Sequence, residues 1–284
     1  MTLKETVRRA LEEDIGAGDI TTAALIPADK RYKAAAAAKE SGVVCGVEAA
    51  KLAFTLLSRA AKVETLKADG EPVSPGDVIL RVEGDRSILS AERVALNFLQ
   101  HLSGIATLTA RFVKAAQGTT AVILDTRKTV PGLRELEKYA VKCGGGVCHR
   151  MGLYDAALVK DNHIRAAGWP RIKEAVEKLR KRPGVEFIEI EAQSLEEVKL
   201  AAGCRPDIIL LDNLSLSDIK KAVRFIGTFP QAVRPQVEIS GGVSLKNVRA
   251  YAETGADRIS VGRLTHSAPA LDISLEICDD DTRK

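Results

Sequence analysis

From about residue 120 onward, short apolar runs alternate with longer stretches in which apolar residues recur every three or four positions. The runs cover 121–124, 157–159, 187–190, 208–211, 237–239 and 258–261. Runs this short and this largely apolar read as strands buried on both faces. Between them, Ile172, Ala175, Val176 and Leu179, then Leu195, Val198 and Ala201, then Ile219, Ala222, Val223 and Ile226, then Leu245, Val248 and Ala252 each mark one helical face. Ser194 and Glu197 stand at capping-box spacing, and Gly255 takes the C′ position of the helix before it. Repeated strand–helix units of this length mean a parallel sheet, closed as a barrel or open and doubly wound. Six strands are visible in the pattern, and one or two more are expected.

The first part of the chain reads differently. Thr2 and Glu5 form a capping box ahead of Leu3, Val7, Ala10 and Leu11 on one helical face, and Gly16 and Gly18 end that helix. Residues 32–45 are rich in Ala and Val and end in a Gly-containing turn. Within 73–82, Pro75-Gly76-Asp77 separates two short apolar runs and predicts a hairpin. A long helix is predicted over 91–116, with Gly104 inside it. Residues 1–110 are therefore expected to form a mixed domain with antiparallel strands. Residues 111–269 would form the parallel one, and the tail 270–284 would return to the first.

A barrel is favoured because nearly every strand run ends in polar residues. Asp125-Thr126-Arg127-Lys128 follows the first and Lys160-Asp161-Asn162-His163 the second. Glu191, Asp212-Asn213, Ser240-Gly241-Gly242 and Gly262-Arg263 follow the others. Barrels build their sites at the C-terminal ends of many strands, whereas an open sheet gathers its ligand at one switch point.

The 284 residues are 45% hydrophobic, 28% charged and only 4% aromatic, which suits an ordinary globular α/β protein better than an aromatic-rich β-sandwich. Five cysteines, an odd number without CxxC spacing, suit a reduced compartment. No run is long and apolar enough for a membrane span, and a cytoplasmic protein is expected, with neither membrane nor nucleic acid as a partner. The net charge of +4 fits either a mildly basic surface or cations gathered around an anionic ligand; position has to decide.

Position favours the second. Arg127, Lys128, His149, Arg150 and Lys160 all fall at or near strand ends of the proposed barrel, and Arg93 near the start of the long helix. Cations so placed repel one another unless an anion neutralises them, and Arg forks match carboxylates and phosphates. Ser240-Gly241-Gly242 links a strand end to a helix start, and Val261-Gly262-Arg263 follows the last strand. Loops after the last two strands of a barrel often cradle phosphate, although Gly-Gly also occurs in tight turns. Glu191 and Asp212 end adjacent runs and suit Mg²⁺ or ribose hydroxyls, or else an ordinary structural role beside Arg and Lys. Lys160 could form a Schiff base, with Asp161 and His163 for proton transfer. Gly144-Gly145-Gly146 would let the chain bring His149 and Arg150 over the barrel mouth, with Cys148 as filler.

These residues resemble the quinolinate phosphoribosyltransferase family. The resemblance rests on Asp125 to Arg134, Glu137 to Val141, Gly144 to Arg150, and Val159 to His163. Glu13 to Thr22, Glu92-Arg93 with Gly104 to Thr107, Leu211 to Asn213, and Ser240-Gly241-Gly242 through Ser267 carry it further. It implies a seven-stranded α/β barrel (the type II phosphoribosyltransferase fold) with an N-terminal open α/β sandwich domain. It also implies conversion of quinolinate and phosphoribosyl pyrophosphate to nicotinate mononucleotide, pyrophosphate and CO2, with Mg²⁺, in de novo NAD biosynthesis. Arg127, His149, Arg150 and Lys160 would hold the quinolinate carboxylates, with Lys128 between the substrates. Glu191 and Asp212 would face the ribose and Mg²⁺, and Ser240, Gly241, Gly242 and Gly262 the 5-phosphate. Lys128, Lys160, Glu191 and Asp212 would be the catalytic set. The family forms homodimers or higher oligomers, with Arg93 reaching the partner's site. Cys148 departs from the Asn that bacterial members often carry before His-Arg. A related family associated with molybdenum transport lacks the Lys-Asp-Asn-His run present here. Rival readings are a nicotinate transferase, a Schiff-base lyase using Lys160, and a barrel that only binds phosphorylated metabolites.

Overall fold

The structure is a computed structural model that describes residues 2–28 and 30–278. Its contacts divide the chain into two compact units. One comprises Met1–Ala110, Leu136–Gly145 and Ala268–Lys284; the other comprises Arg111–Glu135 and Gly146–Ser267.

In the first unit, α1 (Leu3–Ile15) opens with the full Thr2–Glu5 capping box and buries Val7 and Leu11. A short α2 (Ile20–Leu25) is capped by Asp19, which accepts the Thr22 amide at 2.9 Å and the Ser90 hydroxyl at 2.8 Å. β1 (Tyr32–Ala38) buries Ala34, Ala36 and Ala38, every second residue, as a strand with one covered face must. Then follow β2 (Gly42–Val43), α3 (Val47–Leu57), β3 (Lys62–Thr65), β4 (Pro72–Val73), β5 (Val78–Gly84) and the 30-residue α4 (Ser87–Ala116). The C-terminal strand Ile273–Ile277, β1, β5 and β3 form an antiparallel sheet in that order. Ala34 lies opposite Ile277 and Ala38 opposite Ile273. The rest of the expected tail, 279–284, lies outside the described residues.

The hairpin expected around Pro75-Gly76-Asp77 does not form. The turn itself exists, with Gly76 at φ 92° and the Asp77 amide donating to the Ser74 carbonyl at 3.0 Å. However, β4 pairs with β2, while both edges of β5 are taken by β1 and β3. The longer ladders win because each adds more backbone bonds and more cross-strand packing than β4 offers.

In the second unit the order is β6 (Val122–Leu124), α5 (Arg134–Cys143, most of which groups with the first unit), β7 (Ala157–Val159), α6 (Asp161–Ala167) and α7 (Trp169–Arg180). Then come β8 (Ile188–Ala192), α8 (Leu195–Gly203), β9 (Ile208–Asp212), α9 (Leu216–Gly227), β10 (Gln236–Ser240), α10 (Val248–Ala252), β11 (Arg258–Ser260) and α11 (Arg263–His266). All six strands are parallel, in the order β6-β11-β10-β9-β8-β7. The last strand thus pairs with the first. A seventh parallel segment is a single bridge, Val147 to Leu124, on the free side of β6. Among the described residues no ladder joins that bridge to β7, so the wall has one unbonded seam.

Local details differ from expectation. Ser194 caps α8 by accepting the Glu197 amide, but the Glu197 carboxylate returns to the amide of Gln193 at 2.7 Å rather than to Ser194. Leu245 lies before α10 in a turn closed by Asn247, whose side chain accepts the Ser244 amide. α10 is capped by Glu253, so Gly255 with φ 87° sits one residue past C′. The five cysteines are free thiols.

Gly104 reverses an ordinary rule. Gly→Ala inside a helix usually gains about 0.5–1 kcal/mol. Here a Cβ would overlap the Pro269 carbonyl oxygen and lie 3.0 Å from Ala270 Cα. Overpacking against fixed backbone costs roughly 1–3 kcal/mol. Gly104→Ala is therefore expected to lower the urea midpoint, and a raised midpoint would contradict this packing.

Candidate active site

Because side chains alternate along a strand, each barrel strand sends every second residue inward. The inward residues at the C-terminal ends are Lys160, Glu191, Asp212, Ser240 and Ser260, and two positions deeper come Leu158, Leu210 and Glu238. Together with Thr126, Arg127, Lys128, His149, Arg150, Asn213, Gly241 and Gly242 they line one cavity of about 390 Å³. Most of the residues picked from sequence thus meet. Gly262 sits at its edge, where an added Cβ would come 3.1 Å from Lys128 Cδ. Arg93 lies exposed on α4 of the first unit.

The basic residues are held by different devices. The Lys128 backbone is fixed on both sides, its amide by Thr126 at 3.0 Å and its carbonyl by the Thr265 hydroxyl at 2.7 Å. Its side chain stays exposed. The Lys160 amide donates to His163 Nδ1 at 2.9 Å, which gives His163 a structural use at the start of α6. Arg127 is half-buried, and its Nε finds no hydrogen-bond partner among the described residues. Arg150 is 7% exposed and donates from Nη1 to the Ala156 carbonyl at 3.0 Å. Burial, then the charge of Arg127, pushes Arg150 down from the usual guanidinium range. A buried and a half-buried guanidinium that repel one another, one with an unpartnered Nε, favour an anion between them.

His149 and Arg150 do not sit over the mouth, as the glycine run suggested; both are buried within the barrel. Their irregular backbone is held by side-chain acceptors, one amide after another. The His149 amide donates to Asp125 Oδ1 at 2.8 Å and the Arg150 amide to His149 Nδ1 at 2.8 Å. The Met151 and Gly152 amides donate to the two oxygens of Asp155. Buried backbone outside a ladder requires such partners. Cys148, just before, is half-buried.

The deeper layer holds groups that the sequence reading passed over. His149 Nε2 lies 3.0 Å from Glu189 Oε2 and 3.4 Å from Glu238 Oε1, and both glutamates are 0% exposed. Arg258 Nε donates to Glu238 Oε2 at 2.7 Å. Burial alone would push the imidazole down, but the two carboxylates outweigh it. Nδ1 accepts the Arg150 amide, so the ring proton sits on Nε2, toward the glutamates. Burial also pushes Glu189 up, and the charge of Glu238 adds to it. The signal was present in sequence: Glu189 and Glu238 interrupt apolar runs that should be continuous in a strand buried on both faces.

Glu191 and Asp212 line the same cavity from the ends of β8 and β9. Burial pushes Glu191 up, the negative charge of Asp212 adds to it, and Lys160 pulls it back. Asp212 accepts from Asn213 Nδ2 at 2.9 Å. Asn213 has φ 55°, and its amide donates to the Ser240 carbonyl at 3.0 Å. A Cβ on Gly241, whose φ is 89°, would strike the Asn213 side chain. The loop after β10 therefore lies directly against the Asp212 end, with its backbone open to the cavity.

The family described as "Quinolinate phosphoribosyl transferase, C-terminal domain" matches residues 105–276, and its N-terminal domain counterpart matches 19–103. A "nicotinate-nucleotide pyrophosphorylase [carboxylating]" of Mycobacterium leprae is 42% identical over 278 residues, covering 96% of each chain. A chloroplastic protein of the same name from Arabidopsis thaliana is 42% identical and spans 97% of this chain and 82% of its own. The crystal structure of a nicotinate-nucleotide pyrophosphorylase from Ehrlichia chaffeensis superposes with a TM-score of 0.90 at 40% identity, covering 98% of this chain and 99% of that one.

Asp125→Ala removes the acceptor of a buried amide, a loss of about 1–3 kcal/mol. Amide hydrogen exchange at His149 is expected to speed up selectively. Unchanged protection there would show that Asp125 does not hold this segment.

Proposed function

As a member of the quinolinate phosphoribosyltransferase family, this chain joins quinolinate to phosphoribosyl pyrophosphate and releases pyrophosphate and CO2, and we propose a division of labour among its residues for that reaction. The supporting observation is the cavity itself, which Arg127, Lys128, His149, Arg150 and Lys160 line together with Glu191, Asp212, Gly241 and Gly242.

Arg127, Arg150 and Lys160 take the two carboxylates of quinolinate, with His149 beneath them. Lys128 stands between the two substrates. Ser240, Gly241, Gly242 and Gly262 receive the 5-phosphate, where glycines let backbone amides approach an anion. Glu191 and Asp212 take the ribose hydroxyls. They also suit Mg²⁺: both offer hard oxygen donors, and the charge of Asp212 adds to burial in pushing Glu191 up, a repulsion that a cation would offset. Bound there with the substrate's phosphates, Mg²⁺ would offset the charge of the departing pyrophosphate.

The chain's own work is positioning and neutralisation. The pyridine nitrogen attacks the anomeric carbon as the bond to pyrophosphate breaks. The ring then carries positive charge, which stabilises the electron pair left at C2 when the adjacent carboxylate departs as CO2. A proton takes its place. No side-chain nucleophile is required, so Lys160 acts as a cation rather than as a Schiff base. A nicotinate transferase is disfavoured because a single carboxylate would leave several of these cations unpaired.

Further parts of this reading concern assembly and location. Arg93 of the partner subunit completes the carboxylate end in a homodimer or higher oligomer, and the protein works in the cytoplasm. No helix among the described residues is long and apolar enough to cross a membrane.

Arg150→Ala is expected to weaken quinolinate binding by about 2–5 kcal/mol, since a buried carboxylate loses its partner. Binding of phosphoribosyl pyrophosphate should be little changed, and unchanged quinolinate binding would remove Arg150 from the site. Arg93→Ala chains mixed with Lys160→Ala chains should regain activity in hybrid oligomers; no recovery at any ratio would argue against a shared site. Preferred turnover of nicotinate over quinolinate would overturn the assignment of the acceptor.

A further inference from the structure

Glu189, Glu238 and Arg258 have no place in the division of labour above, yet they form a buried charge cluster. Both glutamates are 0% exposed and Arg258 is 15% exposed at its side chain. Burying carboxylates is costly unless each is paired, and such groups persist where they specify something that packing alone does not. Here they surround one ring. Glu189 and Glu238 face His149 Nε2 at 3.0 and 3.4 Å. Phe187 meets the imidazole edge-on, with centroids 5.5 Å apart and planes at 74°. Arg258 ties Glu238 at 2.7 Å and lies 5.8 Å from the same Phe187 ring. On the other side of the imidazole, Nδ1 receives the Arg150 amide at 2.8 Å.

Both ring nitrogens therefore face protein atoms. The imidazole bridges the cluster below to the backbone of Arg150 above. We infer that Glu189, Glu238 and Arg258 are positioning residues that clamp His149 from beneath, and that His149 in turn fixes Arg150, so that a buried ion cluster sets the carboxylate end of the site. The inference rests on the reading of this cavity as the quinolinate site. It assigns His149 a role through Arg150.

Two other uses of the cluster predict different results. One is simple core packing, which would affect stability without touching substrate affinity. The other is a metal site, since His149, Glu189 and Glu238 each offer a ligand atom within 4.8 Å of the others. The guanidinium of Arg258 already supplies a cation against Glu238, and a divalent ion beside it would be repelled.

The test uses the full-length chain with Glu189→Gln, Glu238→Gln and His149→Asn. Loss of a side chain that orients a binding group typically costs on the order of 10- to 100-fold. KM for quinolinate should rise by that factor in each glutamine variant, with kcat less affected and KM for phosphoribosyl pyrophosphate unchanged. The double variant Glu189→Gln/His149→Asn should be no worse than His149→Asn alone, because both cut the same linkage. If Glu238→Gln fails to fold, Glu189→Gln carries the test, since its carboxylate oxygens have no hydrogen bonds beyond the contact with His149. Wild-type KM for quinolinate in a folded Glu189→Gln, additive losses in the double variant, or a stoichiometric metal ion that Glu189→Gln releases would each overturn the inference. Should the wild-type chain not use quinolinate at all, the site reading fails by itself. The clamp is then judged on Arg150 amide exchange, which must be faster in Glu189→Gln if the inference holds and unchanged if it does not.

Discussion

The pairing of β11 with β6 is the contact on which the site depends. It joins the last strand to the first and brings Thr126, Arg127 and Lys128, which follow β6, to the cavity that Ser260 of β11 also lines. Lys160, Glu191, Asp212 and Ser240 reach the same cavity from β7, β8, β9 and β10, which their own ladders hold side by side. The constraint also explains the irregular stretch around His149. Only Val147 bridges to β6, so the chain beyond it leaves the wall early, and Asp125 and Asp155 supply the acceptors that a neighbouring strand would have supplied.

Closure creates an electrostatic problem as well as a site. Inward-facing charges lie close together with little water, where interactions are stronger and unpaired groups more costly. The barrel answers in two layers. Below, Glu189, Glu238, Arg258 and His149 lie in mutual contact. Above, Arg127 and Arg150 crowd together, and Arg127 Nε has no hydrogen-bond partner among the described residues. The lower layer sets carboxylates against His149 and Arg258, whereas the upper layer sets cation against cation and is the one an anionic substrate can complete.

Much of this was legible in the sequence, for a physical reason. Strands covered on both faces show as short apolar runs, and all six fall within a residue or two of the observed ones. The residue ending each run was polar because the barrel mouth is where it emerges. Other features depend on partners remote in sequence and left no clear trace. Val147 makes a one-residue strand, too short for any periodicity. Val78–Gly84 looks like half of a hairpin, but its partners are 32–38 and 62–65. The depth of His149 could not be read from a glycine run that suggested a mobile loop over the mouth. Glu189 and Glu238 were visible only as acids breaking apolar runs, and their pairing with His149 is a tertiary fact.

One cavity transfers phosphoribose to a dicarboxylate and removes one of its carboxylates. The most direct measurement follows quinolinate labelled in its 2-carboxylate, incubated with the purified protein, phosphoribosyl pyrophosphate and Mg²⁺. The account requires labelled CO2 and nicotinate mononucleotide to appear in equal amounts, and neither without phosphoribosyl pyrophosphate. A phosphoribosylated product that keeps the label, or no product while phosphoribosyl pyrophosphate still binds, would contradict it.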